Sequence, residues 1–174
     1  MIYLTVGCQA ALTAVFLFSV ASKVRSRRAY EEFVSAVIAM RVLPQPWTRP
    51  AALATVAGEL ATVVLLAVNT VPAAFVIAAG LLTIFTAAIL IAIRSGRRAP
   101  CRCFGASTTP LGRLHVVRNL VLLAACLAGL VSVSEGTGSV LHPGGLIISL
   151  AGAAIATLFV LRIEDLVSLF GSNG

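Results

Sequence analysis

The sequence predicts an all-α integral membrane protein, a bundle of four to five transmembrane helices with one amphipathic helix lying in the membrane interface. The chain of 174 residues has a mean hydropathy of +1.03, and 59% of its residues are hydrophobic while only 11% are charged. These values lie far outside the range of soluble domains. The apolar residues also form long runs, and a helix needs about 20 of them to cross a hydrocarbon core. We therefore expect residues 1–174 to form a single transmembrane domain.

Five apolar runs predict five membrane spans. A secretory signal carries its positive charge before the apolar run, whereas Lys23 and Arg25 follow the first run, so we expect that run to remain in the mature protein. Only residues 69–71 separate the second run from Pro72 in the third, which makes those two spans antiparallel neighbours. The predicted spans are 2–22, 51–68, 72–93, 115–134 and 145–162.

An amphipathic helix is predicted between the first two spans, from Ser26 to Leu43. Its apolar side chains recur at helical spacing behind a charged first turn, a pattern typical of a helix in the membrane interface. We expect the prolines that follow it to end the helix and Trp47 to anchor the chain at the interface. The apolar positions are Tyr30, Phe33, Val34, Val37 and Ile38, and the prolines are Pro44, Pro46 and Pro50.

The fifth span carries a stripe of small residues that recurs every four positions. Such a stripe allows close helix packing in lipid, where van der Waals contact drives association. A generic membrane helix rich in alanine and glycine gives the same pattern, and the sequence leaves both interpretations open. The stripe consists of Gly145, Ser149, Ala153 and Thr157.

The net charge of +7 is concentrated beside particular spans. A basic chain can bind nucleic acid, but here the basic residues flank apolar runs instead of lining one polar face, so we expect the lipid bilayer as partner and no nucleic acid. Cytoplasmic loops carry the excess of lysine and arginine. The amino terminus is thus predicted outside, and the carboxyl terminus and third loop in the cytoplasm. The first and third loops hold Lys23, Arg25, Arg27, Arg28, Arg41, Arg49, Arg94, Arg97, Arg98, Arg102 and Arg113, whereas the second and fourth hold none.

The third loop, residues 94–114, contains the candidate reactive site. Cys101 and Cys103 flank Arg102, and nearby guanidinium groups favour the thiolate, which attacks disulfides. A disulfide between cysteines two positions apart closes a tight ring, and strained bridges are the labile ones. In the cytoplasm such a bridge is transient and catalytic. The pattern favours a redox pair, although two incidental cysteines in a basic loop remain the alternative.

His115 follows this loop and is a candidate proton donor or acceptor near neutral pH, or simply an interfacial residue. Zinc usually takes four protein ligands, and His115 adds only a third to the two cysteines. We therefore expect no metal site.

Glu59 is an ionisable residue inside a predicted span. A carboxyl group there is costly unless it is paired, and the candidate partners in the same leaflet are Lys23 at the end of the first span and Arg118 with Asn119 in the fourth. Two interpretations stay open. Either the group belongs to an ion pair that fixes helix packing, or it carries protons for thiol chemistry.

Cys8 and Cys126 lie inside the first and fourth spans. At about 1.5 Å per residue they lie about 9 Å and 12 Å from the outer ends of their helices. They are therefore a candidate second thiol pair, able to pass reducing equivalents across the membrane by exchange or through a quinone. Alternatively they are inert packing residues, because buried cysteines behave as small apolar side chains.

Several short motifs together resemble one family. They are Ser22 and Lys23 at the end of the first span, Glu32 and Phe33 before Pro44, the AGELA segment 57–61, the CxCFG segment 101–105, and Arg118 with Asn119. Over residues 1–134 the chain resembles the methylamine utilisation protein MauE family, within the DoxX-like membrane proteins, and CxCFG is the most specific motif. That family is associated with maturation of a disulfide-rich periplasmic dehydrogenase subunit, alongside a thioredoxin-like partner. The resemblance implies a redox role for Cys101 and Cys103 and a structural or proton-handling role for Lys23, Glu59 and Arg118.

Three functions are consistent with these patterns. The first is a membrane thiol–disulfide redox protein that supports disulfide formation or maturation of a client protein, with a thioredoxin-like protein or a quinone as partner. The second is a non-catalytic membrane assembly factor. The third is a carrier of a small lipophilic molecule, such as a quinone, held between the helices near Glu59.

Overall fold

The computed structural model consists of helices throughout the part of the chain that it describes, which is residues 1–68, 71–96, 112–134 and 142–171, with side chains described as far as Arg162. Its elements are α1 (Ile2–Val24), α2 (Arg27–Met40), α3 (Gln45–Ala67), α4 (Val71–Arg94), α5 (Arg113–Ser134) and α6 (Pro143–Gly171).

Five of the six helices are long and apolar enough to cross a membrane, which confirms the predicted fold class. The exception is α2, the shorter amphipathic helix. The spanning helices bury a common core in which Phe16, Phe75 and Leu82 are inaccessible, and they leave other large apolar side chains, such as Leu53 and Ile84, on the outer surface. An apolar exterior of this kind suits contact with lipid.

The chain passes back and forth, so the two ends of the bundle are well defined. The side-chain amide of Gln9, early in α1, donates to the carbonyl of Leu66 at the end of α3, which shows that these two helices are antiparallel. The predicted antiparallel pairing of the second and third spans is likewise present, as α3 packs on α4. We call one end the cysteine-loop end: there α1 and α4 finish, and α3 and α5 begin.

The two ends of helix α2 are defined by its capping residues, Ser26 and Arg41. The Ser26 hydroxyl accepts a hydrogen bond of 3.1 Å from the Ala29 amide, which caps the amino terminus. Arg41, with φ of 48°, takes a left-handed conformation that ends the helix. The helix is therefore shorter than the predicted Ser26 to Leu43. Its apolar face, with Phe33 and Val34, packs on Ala52 of α3.

Two of the three prolines after α2 lie inside a helix, although the second span was predicted to start at residue 51. Helix α3 begins at Gln45, so Pro46 lies in its first turn and Pro50 lies inside the helix. Proline is tolerated at the start of a helix because the first amide groups have no partner within the helix. The Thr48 hydroxyl donates to the Gln45 carbonyl at 2.7 Å, which satisfies one of the carbonyls near the prolines. Trp47 stays 65% exposed, as expected of a side chain at the membrane boundary.

The small-residue stripe of α6 packs against the start of α1. A Cβ atom at Gly145 would overlap the Tyr3 ring, and the Ser149 hydroxyl donates to the Tyr3 carbonyl. The structure thus favours close packing over a generic helix. Helix α6 also continues to Gly171, past the predicted end at residue 162, because no glycine or proline follows Arg162 until that point.

Candidate functional site

The cysteine pair proposed from the sequence, Cys101 and Cys103, lies outside the described residues, as does Arg102. The chain that carries them leaves α4 at Arg94 and enters α5 at Arg113. Gly96, with φ of 66°, allows the turn that ends α4, since a left-handed conformation is strained for other residues. Both ends of the segment therefore belong to the cysteine-loop end of the bundle. Among the described residues no cluster of three metal-ligating side chains occurs.

Glu59 is paired with Lys23, one of its predicted partners. The Lys23 ammonium donates to both carboxylate oxygens, at 2.7 and 2.9 Å. The Ser19 hydroxyl donates to the carboxylate at 3.0 Å and accepts from Lys23 at 2.7 Å. Lys23 is 2% exposed and Glu59 is inaccessible, so the three groups form a compact polar cluster inside the bundle.

Helix geometry explains why Lys23 points inward. Side chains on a helix tilt toward its amino terminus, so a lysine in the last turn of α1 reaches back into the bundle, past Ser19 one turn earlier. A cation in the last turn also meets the negative end of the helix dipole. Lys23 was counted among the loop charges in the orientation argument, and this count was wrong, because its charge is buried and neutralised by Glu59. The arginines still carry the excess.

The ring of Phe33 also contacts the Lys23–Glu59 ion pair, through the lysine. The Lys23 ammonium lies 5.0 Å from the centre of the Phe33 ring, within the range of a cation–π contact. Phe33 belongs to α2, so the cluster joins three helices: Lys23 lies on α1, Glu59 on α3 and Phe33 on α2. The amphipathic helix is thereby attached to the transmembrane bundle by a charged contact as well as by its apolar face.

The first turns of α5 contribute three more buried polar residues to the cysteine-loop end. His115, Arg118 and Asn119 are 2%, 4% and 0% exposed. Arg118 and Asn119, the other predicted partners of Glu59, make no hydrogen bond to it, since its described partners are Lys23 and Ser19. Neither polar atom of the Asn119 side chain has a hydrogen-bond partner in the described part of the chain. A buried amide without a hydrogen-bond partner lowers the free energy of unfolding by about 1–3 kcal/mol. Such a cost is more typical of a functional position than of one that stabilises the fold.

The structure brings Cys8 and Cys126 into the same core cluster, between α1 and α5. Both are buried free thiols, with 9% and 1% exposure. They lie in the half of the bundle away from the cysteine-loop end, because Cys8 belongs to the first turns of α1 and Cys126 to the second half of α5. Both thiols thus have apolar surroundings in one cluster, and their role as a second redox pair stays a prediction.

Sequence reasoning missed two members of the charged cluster, Ser19 and Phe33. Ser19 stands one helical turn before Lys23, a spacing that places both on one face and could have identified it. Phe33 was assigned only to the apolar face of α2. No local pattern shows that its ring meets a lysine of another helix.

Two comparisons with known proteins, one with a family and one with a single relative, point to the same family. Residues 1–132 match the family described as Methylamine utilisation protein MauE. The methylamine utilization protein MauE of Paracoccus denitrificans is 42% identical over 116 residues, which make up 64% of this chain and 62% of that protein. The chain therefore covers less than two thirds of that relative. No solved structure matches the chain. The matched region includes the charged cluster, the CxC segment and the start of α5.

Proposed function

Since the chain belongs to the methylamine utilisation protein MauE family, we propose that it is a membrane-embedded thiol–disulfide redox protein that supports maturation of a disulfide-containing client. Cys101 and Cys103 are the redox pair, and Arg102 favours the reactive thiolate. Because the curated relative is named for methylamine utilisation, the client we propose is a protein of that process.

The observation that carries the proposal is the gathering of buried polar groups at the cysteine-loop end. Lys23 and Glu59 lie there between α1 and α3, while His115 and Arg118 lie in the first turns of α5. The CxC segment joins α4 to α5 at that same end. Buried ionisable residues within membrane spans are expensive and mark functional positions by default. The arrangement thus supplies cationic and proton-exchanging groups at the end of the bundle where the cysteine segment begins and ends.

The proposed reaction is a two-electron exchange. A client thiolate attacks one sulfur of the Cys101–Cys103 disulfide, whose S–S bond breaks, and a mixed disulfide forms. The second client thiol then displaces the mixed disulfide, so that two electrons and two protons pass to the pair as the client disulfide forms. A thioredoxin-like disulfide or a quinone takes the same two electrons and two protons from the pair and becomes a dithiol or a hydroquinone. His115 is the candidate proton carrier.

We also propose that the amino terminus lies outside and that the CxC segment and carboxyl terminus face the cytoplasm. The support is the distribution of arginines, which flank the ends of helices at the cysteine-loop end. The rival orientation places the cysteines in an oxidising compartment, where a disulfide persists.

The experiment that tests the function is thiol trapping in reconstituted membranes. We expect Cys101→Ser and Cys103→Ser each to abolish net exchange with a thioredoxin-like protein, and one of them to accumulate a mixed disulfide, detected as a reducible adduct on a gel. The matched control is Cys126→Ser, which removes a thiol from the core and leaves the pair intact. Unchanged exchange in both loop variants would refute the redox function and favour the non-catalytic assembly factor.

A further inference from the structure

A cavity of about 330 Å³ lies between the amphipathic helix α2 and the transmembrane helices α3 and α4. It is within the size range of small-molecule sites, which start at about 300 Å³ and are mostly apolar. It belongs to the cysteine-loop end, because its wall on α4 reaches Ile91, close to the last residue of that helix, Arg94. Its lining is almost wholly hydrocarbon and includes Phe33, Met40, Thr55, Phe85, Ala88 and Ile91.

Thr55 gives this cavity a polar point. Other threonines in the spans, such as Thr62 and Thr86, donate their hydroxyl hydrogens to the carbonyl one turn earlier, at 2.9 and 2.7 Å. In the described part of the chain, the Thr55 hydroxyl makes no such bond and has no other hydrogen-bond partner. A hydroxyl that lines an apolar cavity without a partner is available to an acceptor oxygen on a ligand.

Two aromatic rings line the same cavity, and one of them belongs to the charged cluster. Phe33 and Phe85 present flat apolar surfaces to the cavity. Phe33 also makes the cation–π contact with Lys23. In addition, Thr55 stands one helical turn before Glu59 on α3, which places both on one face of that helix. The cavity is therefore adjacent to the buried ion pair.

We propose that this cavity binds the ring of a lipophilic quinone, with Thr55 donating to a quinone carbonyl and the hydrocarbon tail leading into the bilayer. A saturated acyl chain would fill the apolar space equally well, but it offers the Thr55 hydroxyl no acceptor. A soluble polar ligand would leave its other polar groups unpaired, because the remaining lining is apolar. A flat, apolar molecule with an acceptor oxygen satisfies both requirements.

This inference rests on the proposed redox function and names the electron acceptor. The Cys101 and Cys103 thiols become a disulfide, and their two electrons and two protons convert the bound quinone to hydroquinone. The hydroquinone then leaves through the lipid, which the position of the cavity among membrane helices allows.

The test is photolabelling of the full chain in phosphatidylcholine vesicles with a short-chain azido-ubiquinone, followed by mass spectrometry of the labelled peptides. We expect label in the segments of α2, α3 and α4 that line the cavity, displaced by decylubiquinone and not by decanol. Displacement by decanol to the same extent would mean that only an acyl chain is recognised. Label spread evenly over all lipid-facing helices would mean that no site exists. Either result overturns the proposal.

Two variants sharpen the test. Ala88→Phe fills the cavity and is expected to reduce specific labelling about tenfold, whereas Ala73→Phe, on an exposed face of the same helix, leaves it unchanged. If Ala88→Phe does not fold, Thr55→Val removes the hydroxyl at nearly constant shape. Loss of one neutral hydrogen bond then weakens quinone binding roughly two- to tenfold. Unaltered affinity in Thr55→Val would exclude the carbonyl contact.

Labelling in a protein with both Cys101→Ser and Cys103→Ser separates this inference from the proposed function. Quinone binding should persist there, because the described lining residues that recognise the quinone, Thr55, Phe33 and Phe85, belong to α2, α3 and α4 and are unchanged in this variant. Persistent labelling combined with intact thiol exchange in the loop variants would refute the redox function and leave the binding site standing. Active exchange without specific labelling would do the reverse.

Discussion

The Lys23 ammonium contacts both carboxylate oxygens of Glu59 although 36 positions separate the two residues. Both side chains are excluded from solvent, and the Ser19 hydroxyl bonds to each of them. A desolvated pair of this kind is held together because separating the two groups would leave each charge buried without its counter-ion. The contact fixes α1 against α3 at the end of the bundle where the cysteine segment emerges.

Removing one member of this pair should therefore be harmful. We expect Glu59→Gln to destabilise the fold by roughly 3–5 kcal/mol, by analogy with buried pairs in soluble proteins, because the Lys23 charge stays buried without its counter-ion. Unfolding in mixed detergent micelles, followed by circular dichroism, measures the change. Addition of Lys23→Gln should restore part of the loss, whereas addition of Arg118→Gln should not, since Arg118 makes no hydrogen bond to Glu59.

The surface supplies a matched control for this prediction. Glu31 on α2 also pairs with a basic residue, Arg27, at 3.5 Å, but both side chains of that pair are exposed. Exposed ion pairs contribute about 0–1 kcal/mol, so Glu31→Gln should change stability little. Equal effects of the two substitutions would show that the burial of Glu59 is not what makes its pair important.

Much of the fold could be predicted because a membrane limits the choices. Apolar runs long enough to cross it form helices, and the five spans were located to within a few residues at most of their ends. The main error concerned residues 44–50. The second span was predicted to begin after its three prolines, yet a proline in the first turn, such as Pro46, removes no helical hydrogen bond, so α3 begins at Gln45 and includes Pro50.

The candidate site was predicted only in part, for a different physical reason. An intramembrane carboxyl requires a partner, which led from Glu59 to Lys23 and to Arg118, but helix rotation decides between such candidates and cannot be obtained from spacing along one helix. Phe33 lay beyond prediction for the same reason, because its contact with Lys23 depends on how α2 crosses the bundle. In the structure Lys23 donates to Glu59, and the Phe33 ring lies beside Lys23.

The proposed orientation can be measured with a membrane-impermeant thiol reagent. We expect it to label Cys101 and Cys103 only after the membranes are opened, because arginines flank that segment and an excess of arginine favours the cytoplasmic side. The control replaces both cysteines with serine and adds Val68→Cys at the opposite end of the bundle, where the side chain is 61% exposed. That cysteine should react in intact cells. The opposite labelling pattern would place the CxC segment outside.

Close packing between α4 and α5 leads to a prediction about a glycine. A Cβ atom at Gly129 would overlap the ring of Phe75, which is fully buried and cannot easily move aside. Gly129→Ala should therefore cost about 1–3 kcal/mol, as overpacked cores do. Gly80→Ala is the control, because no atom lies within 4 Å of its added methyl group, and greater helix propensity should stabilise it by up to about 1 kcal/mol. Opposite signs in the same unfolding measurement would confirm the contact.

The buried thiols provide the last prediction, which decides between a relay across the membrane and simple packing. Cys8 and Cys126 belong to one apolar cluster, whose described members include no basic group that would favour a thiolate. We therefore expect Cys8→Ala and Cys126→Ala to retain thiol–disulfide exchange in reconstituted membranes, whereas Cys101→Ser loses it. Cys126→Ala should lower stability by about 1–2 kcal/mol, because its side chain is only 1% exposed and the change leaves a small cavity. If either alanine variant loses exchange at unchanged stability, the buried pair takes part in electron transfer and the redox chemistry extends beyond the CxC segment.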